Sequence, residues 1–407
     1  MRFFSRASNA RTLSLVLHID VGLGGARAAL VEHGGASTPS MPFTSTHSEK
    51  VPRKGKDGLL SASLLSLRES IDDVISFIQR ENKAGRPKKI GAIYAILAAP
   101  YYLSHTALIK YKEEKSFVVT PALVSNILHG YRKHSDKDRE DESEEILGNA
   151  PITVADKIIG MRLNGYHTGS PYGKKAITLD LSVFKTEVAG EAVLGIEREI
   201  KKRFALPVIF ESLSLAVYVA LRGTISFNPN FLFIVVGNEV TEVSLVRDHM
   251  LLKTISFPFG KFSLIRHVAR EVGEPEEMAI SSISLHGVDG LHTVGAGKIE
   301  AALQTAAKTW APFFEKGLVS LSDRSAVPHS VYLVADPDVG KAFQGFLTSD
   351  GYVSQSLVPT GFAIELVDVE KAKSIMHFGP EASCDPILCL EGLFAVSTKL
   401  PLHTRGT

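Results

Sequence analysis

The chain has 407 residues, 44% hydrophobic and 22% charged, which is typical of a folded globular protein and excludes a disordered one. Its 45 Lys and Arg residues balance 44 Asp and Glu residues, so no net field favours nucleic acid. Cys384 and Cys389 fit neither a disulfide framework nor a metal site, and no apolar run reaches the ~18–20 residues of a membrane-spanning helix. We therefore expect several domains or subdomains in a reducing, cytoplasmic compartment.

The first informative segment in chain order is LVLHIDVGLGGARAALV, residues 15–31. An apolar strand ends at Asp20, a turn follows with Gly22, Gly24 and Gly25, and a second apolar strand begins. An acid at a strand end can hold Mg²⁺-bound water, and a glycine-rich hairpin lets backbone N–H groups approach phosphates. The segment predicts a phosphate-binding hairpin, although an ordinary β-hairpin with a glycine turn explains it as well.

An α/β alternation follows this hairpin. Apolar residues at helical spacing predict a helix over 61–81, and IGAIYAILAA predicts a buried strand over 90–99. Residues 132–145 carry eleven charges in fourteen positions, which favours a solvated loop over a disordered interaction tract.

A second unit is predicted from residue 146 to about 186. Turns at Asn164-Gly165 and Pro171-Tyr172-Gly173 divide it into three short strands. Helical spacing then predicts a helix over 191–204, a strand over 207–210 and another helix over 212–221.

A second strand–hairpin–strand module begins with the strand 231–236. Strands over 242–246 and 251–257 follow, joined by a turn at Arg247-Asp248-His249. The two modules lie about 215 residues apart, which predicts a duplicated architecture. Further on, a helix that starts near Ala296 is expected to kink or end at Pro312.

The chain resembles the actin-like ATPase superfamily, and within it the bacterial division protein FtsA, with the pilus protein PilM as the nearest alternative. Four segments carry the resemblance: the Asp20-Val21-Gly22 hairpin, LNGYHTGSPYGKKAITLDL, FPFGKFSLIRHVAREVGEPEEMA, and DPILCLEGLFAVST. The resemblance implies an α/β, actin-like fold of the duplicated ribonuclease-H-like kind. Two lobes, each on a five-stranded sheet, would carry an FtsA/PilM-type subdomain inserted in the first lobe.

The resemblance also implies domain boundaries. The first lobe would comprise 1–100 and 187–225, the inserted subdomain 101–186, the second lobe 226–264 and 328–407, and a small subdomain of the second lobe 265–327.

The nucleotide motifs depart from the family pattern after the first hairpin. The second phosphate motif reads Val235-Val236-Gly237-Asn238, with valine in the acid position, and the adenosine loop falls on Ala335-Asp336-Pro337. The nucleoside-binding acid and lysine of the family fall on Ile280 and Ile283. These departures predict a degenerate, non-hydrolysing ATPase with no catalytic residue, no metal site and no need for ATP or Mg²⁺. The residues of the vestigial nucleotide site would be Asp20, Gly22, Gly24, Gly25, Gly237, Asn238 and Asp336.

The resemblance implies a scaffold in cell division that contacts an FtsZ-like filament protein and self-associates through the inserted subdomain. The alternative is a PilM-like platform of a type IV pilus or secretion system, which binds a cytoplasmic peptide of a membrane protein. A second alternative, an active ATPase, needs a metal-binding acid on the second hairpin, where only Glu239 and Glu242 stand. The predicted partner surface comprises Asn164, Gly165, Tyr166, Pro171 and Gly173. Because LPLHTRGT has no amphipathic character, we expect attachment to the inner face of the membrane through partners only.

Overall fold

The structure is a computed structural model, and it describes residues 12–20, 25–34, 38–48, 56–135, 147, 151–169, 171–224, 228–286, 296–322, 326–348 and 361–397. The elements of the first half are β1 (Thr12–Asp20), β2 (Gly25–His33), β3 (Ser40–Ser48), α1 (Lys56–Lys83), β4 (Ile90–Leu97), β5 (Tyr102–Val118), α2 (Pro121–Ser135), β6 (Ile152–Leu163), β7 (Tyr166–His167), β8 (Lys175–Val188), α3 (Gly190–Lys201), β9 (Val208–Ser212) and α4 (Leu213–Thr224). Those of the second half are β10 (Phe231–Val236), β11 (Thr241–Arg247), β12 (Met250–Phe257), α5 (Lys261–Val272), α6 (Glu276–His286), α7 (Ala296–Ser322), β13 (Ser330–Ala335), α8 (Gly340–Thr348), β14 (Ala363–Val367), α9 (Val369–Ile375), β15 (His377–Glu381) and α10 (Pro386–Val396).

The two sheets repeat one topology. An antiparallel meander is extended by two parallel strands, in the order β3-β2-β1-β4-β9 in the first sheet and β12-β11-β10-β13-β14 in the second. The central strand of each is buried along almost its whole length, because helices cover both faces of the parallel part. The repeat confirms the predicted duplicated α/β architecture.

Each sheet also has strands that the sequence pattern did not place there. Strand β15 adds to the first sheet in parallel with β3, pairing His377 with Ser40, although its segment was expected in the second lobe. The strands of the insert extend the second sheet to nine, through the single pair Lys253–His105 between β12 and β5. The expectation of two five-stranded sheets therefore describes the repeated cores only, since both additions depend on pairing between distant segments.

The inserted region is an antiparallel sheet of β5, β8 and β6 with helix α2 on one face. It has a hydrophobic core of its own, in which Leu128 from the helix meets Leu179 and Leu181 from β8. The predicted turn at Asn164 and Gly165 is present, with φ angles of 50° and 84° that suit asparagine and glycine. Most of the charged stretch 132–145 lies outside the described residues.

A single core joins the two lobes. Helix α4 is buried at eight of its twelve residues and packs against α10, which is buried along almost its whole length. The same cluster contains Val16 of β1 and Val235 of β10, so the central strands of both sheets contribute to it. Among the described residues, no helix is both long and apolar enough to cross a membrane.

Helix α7 decides one half of the expectation that Pro312 kinks or ends it. It continues through Pro312 to residue 322, so the proline does not end it. Pro312 lies on the exposed side of the helix, where water can satisfy the carbonyl that loses its N–H donor. On the opposite side Trp310 is buried and stacks on Phe314, with ring centroids 4.5 Å apart.

Candidate functional site

The two glycine-containing hairpins meet at the junction of the lobes. The N–H of Asn238 donates a hydrogen bond to Asp20 Oδ2 at 3.1 Å, and Asp20 is only 3% exposed. A Cβ at Gly237 would lie 3.4 Å from the same carboxylate, and a Cβ at Gly25 would lie 3.6 Å from the side-chain nitrogen Nδ2 of Asn238. The Asp20 carboxylate of the first hairpin therefore binds the backbone of the second hairpin directly.

The N-terminus of α5 faces this second hairpin. The N–H groups of Lys261 and Phe262 donate to the carbonyl oxygens of Gly237 and Asn238, at 2.9 and 2.8 Å. A Cβ at Gly260 would lie 2.6 Å from both carbonyls, so only glycine allows this approach. A free helix N-terminus is a ready anion site, but here the chain's own carbonyl groups satisfy the donors that a phosphate would use.

The loop at the adenosine position is held by an ion pair. Lys261 Nζ lies 2.7 Å from Asp336 Oδ2 and 3.2 Å from Asp338 Oδ2. Burial alone would raise the pKa of Asp336, but the Lys261 ammonium holds it below its usual value. Asp336 also accepts the N–H of Asp338 at 3.1 Å and begins the turn into α8, which is a structural role.

A buried carboxyl from the second lobe fastens the hairpin to the first lobe. Glu242 on β11 accepts the Ala99 N–H at 2.7 Å and the Tyr102 hydroxyl through its other oxygen. Burial raises the pKa of Glu242, the Tyr102 and Ala99 donors oppose the rise, and the nearby acids Asp20 and Glu391 add to it, so that the pKa is about 7. This carboxyl is therefore a partly protonated bridge between the lobes near neutral pH.

Two more buried pairs join α10 to the first sheet. His18 Nδ1 lies 2.6 Å from Glu391 Oε1; burial lowers the pKa of His18 and raises that of Glu391 well above its usual value. Burial therefore favours the uncharged form of each group in this pair. Arg27 Nη1 lies 2.5 Å from Asp385 Oδ2, and the Asp385 carboxylate also caps α10 by accepting the Ile387 N–H at 2.8 Å.

The structure brings five of the seven predicted site residues to this junction. They are Asp20, Gly25, Gly237, Asn238 and Asp336. Gly22 and Gly24 lie outside the described residues. Sequence reasoning missed Arg27, Lys261 and Glu391. It considered Glu242 only as a metal-binding acid, whereas a lone acid in the buried strand TEVSLVR also indicates a buried hydrogen-bonding role.

The substituted positions are part of the core. Val235 is 1% exposed in the cluster that joins the lobes, and Ile283 is 2% exposed. Ile280 packs against the core of the second lobe. Apolar side chains at these positions supply packing and no ligand for a metal ion or nucleoside.

The second candidate site is a groove between the insert and the first lobe. Its volume is about 960 Å³, and it lies between β6 and the segment that enters β9. Apolar residues from both sides line it: Ile152, Val154, Ala155, Val193, Phe204, Leu206, Pro207, Val208, Ile209 and Phe210.

Strand edges border the groove on both sides. In the part of the chain that the structure describes, β9 pairs with β4 alone and ends the first sheet. The first part of β6 pairs with β8 on one side, since β7 pairs only with Arg162 and Leu163. An unpaired strand edge presents N–H and C=O groups to an additional extended chain.

Charges along the groove are paired with one another. The pairs are Arg132 Nε–Asp156 Oδ2 at 2.6 Å, Lys201 Nζ–Glu197 Oε1 at 2.7 Å, and the buried Lys157–Glu211 pair. The last pair joins β6 to β9 where the groove is buried, whereas Ile152 and Thr153 at the start of β6 are exposed. The groove therefore offers apolar walls and hydrogen-bonding edges without an excess of either charge.

The predicted partner surface lies elsewhere on the insert. Tyr166 is 79% exposed at the turn formed by Asn164 and Gly165. Pro171 is buried, and the N–H of Gly173 donates to Val119 O at 2.9 Å, so these two residues form the base of the neighbouring turn. None of the five is among the described residues that line the groove.

No family model and no curated protein matches the sequence. Among solved structures, the chain is similar to one titled as a PilM–PilN type IV pilus biogenesis complex, at 13% identity and a TM-score of 0.54, over 96% of this chain and 98% of that one. It is also similar to the ethanolamine utilization protein EutJ of Carboxydothermus hydrogenoformans, at 11% identity and a TM-score of 0.40, over 95% of this chain and 89% of that one. A third is a Bacteroides thetaiotaomicron protein titled as having an actin-like ATPase fold and unknown function, at 10% identity and a TM-score of 0.35, over 98% of this chain and all of that one. With its duplicated sheets, the chain has the actin-like ATPase fold.

Proposed function

We propose that the chain is a non-catalytic assembly platform of the PilM kind, which binds an extended, mainly apolar segment of a membrane protein in the groove between β6 and β9. The observation that carries the proposal is an open groove bordered by two unpaired strand edges. Its volume of about 960 Å³ lies at the upper end of the range of ligand sites, roughly 300–1,000 Å³.

The strand edges favour an extended peptide over a compact ligand. Residues 208–212 and the first part of β6 present backbone groups along the groove, and an extended chain can bond to them in register. Alternate side chains of such a peptide point to opposite sides. The apolar residues that line both sides of the groove would then receive apolar side chains of the peptide.

The charge pairing favours an apolar partner. Each cation of the groove lies against a carboxylate of the same groove, so a strongly charged peptide would have to compete with those pairs. Binding should therefore depend weakly on salt.

The lobe junction supports a role without nucleotide turnover. Groups of this junction that could hold Mg²⁺-bound water or a phosphate bind other parts of the chain: Asp20 accepts from Asn238, and the α5 N-terminus donates to Gly237 and Asn238. The loop at Asp336 is tied to Lys261. We infer that neither ATP nor Mg²⁺ is a required cofactor.

The partner class is what separates the two sequence-based hypotheses. The neighbouring structure titled as a PilM–PilN complex is that of a protein bound to a partner, which is the arrangement proposed for this chain at the inner face of a membrane. The division-scaffold hypothesis requires an FtsZ-like filament protein as partner instead. Self-association through the insert stays a prediction under either hypothesis.

Fluorescence anisotropy with synthetic peptides tests the proposal. One set of peptides tiles the cytoplasmic tails of membrane proteins encoded beside this gene, and another tiles the tail of an FtsZ protein. We expect saturable binding of one membrane-protein tail, weakened about fivefold or more by Ile152→Gln at the groove mouth, since about 1 kcal/mol of apolar burial is lost. Ile177→Gln is the matched control, because Ile177 is a similarly exposed isoleucine of the insert outside the groove.

Backbone N-methylation of the binding peptide should abolish binding, because it removes the donors that a strand edge needs. Absence of binding by every membrane-protein tail, equal weakening by Ile177→Gln, or unchanged binding of the methylated peptide would each contradict the proposal. Binding of the FtsZ tail alone would favour the division scaffold.

A further inference from the structure

Two short segments of the first lobe hold a concentration of positive charge. Residues 80–89, RENKAGRPKK, contain five Lys or Arg against one Glu, and residues 198–203, REIKKR, contain four against one. The whole chain has 45 basic and 44 acidic residues, so this charge is a local feature. We call the two segments together the basic edge.

The fold brings the two segments to one end of the first sheet. Helices α1 and α3 lie side by side in the same direction, as Arg68 Nε–Glu199 Oε2 at 3.5 Å and Arg203 Nε–Asp72 Oδ1 at 2.7 Å show. The strands that follow them, β4 and β9, are parallel neighbours. Both segments therefore lead into strands that begin at the same edge of the sheet, although α1 continues past the level of Arg203 as far as Lys83.

Several cations of the basic edge have no ion-pair partner. Lys83, Lys89 and Arg198 are exposed and form no ion pair with any other described residue. Lys83 and Arg198 lie in the last turns of their helices, where the helix dipole favours a cation, whereas Lys89 lies beyond the end of α1. Since none of these three cations has a carboxylate partner among the described residues, their charge is available to an external anion.

An exposed leucine stands among these cations. Leu194 on α3 is 56% exposed, one turn from Arg198. With Glu197, Lys201 and Lys202 the two residues surround a shallow depression of about 440 Å³. An apolar side chain ringed by basic ones suits a lipid surface, where it enters the headgroup region while the cations bind lipid phosphates.

The basic edge is continuous with the mouth of the groove. Glu197 and Lys201 line both the depression and the groove, and the groove residues Ala205 and Pro207, just before β9, are exposed. A membrane-protein tail that leaves the groove there emerges beside the basic edge. A membrane carrying that tail would then lie close to the exposed cations.

We propose that the basic edge binds the anionic headgroups of a phospholipid membrane, with Leu194 entering the interface. This inference rests on the proposed function for the orientation of the chain toward the membrane. An anionic membrane is favoured over nucleic acid by the exposed leucine and by the continuity with the groove mouth. It would add a direct attachment to the indirect one expected through partners.

Co-sedimentation of the full chain with vesicles, without any peptide, tests this proposal separately from the groove. The probes are phosphatidylcholine vesicles with and without phosphatidylglycerol, at low and high salt. We expect binding only to the anionic vesicles, reduced by salt because the contact is electrostatic. The triple variant K83E/K89E/R198E should lower the partition coefficient at least about tenfold, since each lost cation near an anionic surface accounts for several-fold.

The matched control is K298E/K308E/K316E, which makes the same charge change at exposed lysines of α7 without an ion-pair partner among the described residues. It should change the partition coefficient less than about twofold, because these lysines lie outside the proposed contact. Failure to bind anionic vesicles at low salt, or an equal loss in both triple variants, would overturn the proposal. So would loss of DNA binding in K83E/K89E/R198E with vesicle binding unchanged. Ile152→Gln should leave vesicle binding intact, so failure of the groove and failure of the basic edge are distinguishable.

Discussion

Glu242→Gln measures how far the lobe junction depends on pH. Glu242 is fully enclosed between Ala99, Tyr102 and the carboxyl groups of Asp20 and Glu391, and burial together with these acids raises its pKa from 4.5 to about 7. A carboxyl whose folded-state pKa is raised contributes stability that is fully present below pH 4.5 and is lost as the pH rises through about 7. The glutamine variant is always neutral and keeps a carbonyl oxygen as acceptor.

The expected magnitude follows from the two pKa values. The interval from 4.5 to about 7 corresponds to about 3 kcal/mol in the free energy of unfolding, at about 1.4 kcal/mol for each pKa unit. Part of this change has already occurred at pH 5, so between pH 5 and pH 8 the stability of the variant should rise against that of the native chain by about 2–3 kcal/mol. Once Glu242 ionises, the free energy of unfolding of the native chain should fall relative to that of the glutamine variant.

Urea unfolding of both proteins at several pH values between 5 and 8 checks this expectation. Glu277→Gln is the matched control, because Glu277 is exposed on α6 and should give a difference nearly independent of pH. A difference between native chain and Glu242→Gln that is flat with pH, or that changes in the opposite direction, would refute the reasoning. It would mean that Tyr102 and Ala99 stabilise the ionised carboxylate more than burial and the neighbouring acids destabilise it.

Three further results are expected. Calorimetry with Mg-ATP at ~100 μM should detect no binding, an affinity weaker than ~5.5 kcal/mol, and low-micromolar binding would contradict the degenerate-site hypothesis. Gly260→Ala should lower the melting temperature by several degrees because its Cβ would lie 2.6 Å from two carbonyl oxygens, whereas Gly130→Ala, which meets nothing within 4 Å, should not lower it. Asp385→Ala removes both a helix cap and the partner of Arg27, so denaturant unfolding should show a loss of about 3 kcal/mol; a loss below about 1 kcal/mol would exclude a structural role for the pair.

Local pattern was enough to predict the repeated strands and their turns. The strand 231–236 was predicted at its observed bounds, because an apolar run with β-branched residues has few alternatives. The turn at Asp248 and His249 has φ angles of 49° and 60°, as a tight hairpin needs. Strand β15 and the Lys253–His105 pair were not predicted, since pairing between distant segments leaves no local signature in the chain.

The candidate sites differ in how much the sequence could indicate. Glycines and an acid at two hairpins have a recognisable spacing, so Asp20 and Asn238 could be assigned to one site before any coordinates. The groove has no such motif, because backbone edges and the pair Lys157–Glu211, 54 residues apart, create it. Lys157 and Glu211 each stand in a short apolar segment where nothing marks them as partners.

The parallel pairing of β15 with β3 has a consequence for how the molecule can be divided. The chain leaves the first lobe after α4, builds the second, and then returns to complete the first with β15 and α10. Cutting the polypeptide between the lobes would strip the first sheet of an edge strand and of the helix that carries Asp385 and Glu391. We therefore expect the two lobes to unfold together. A fragment that keeps the native first lobe would have to contain β15 and α10 as well as the segments that precede the second lobe.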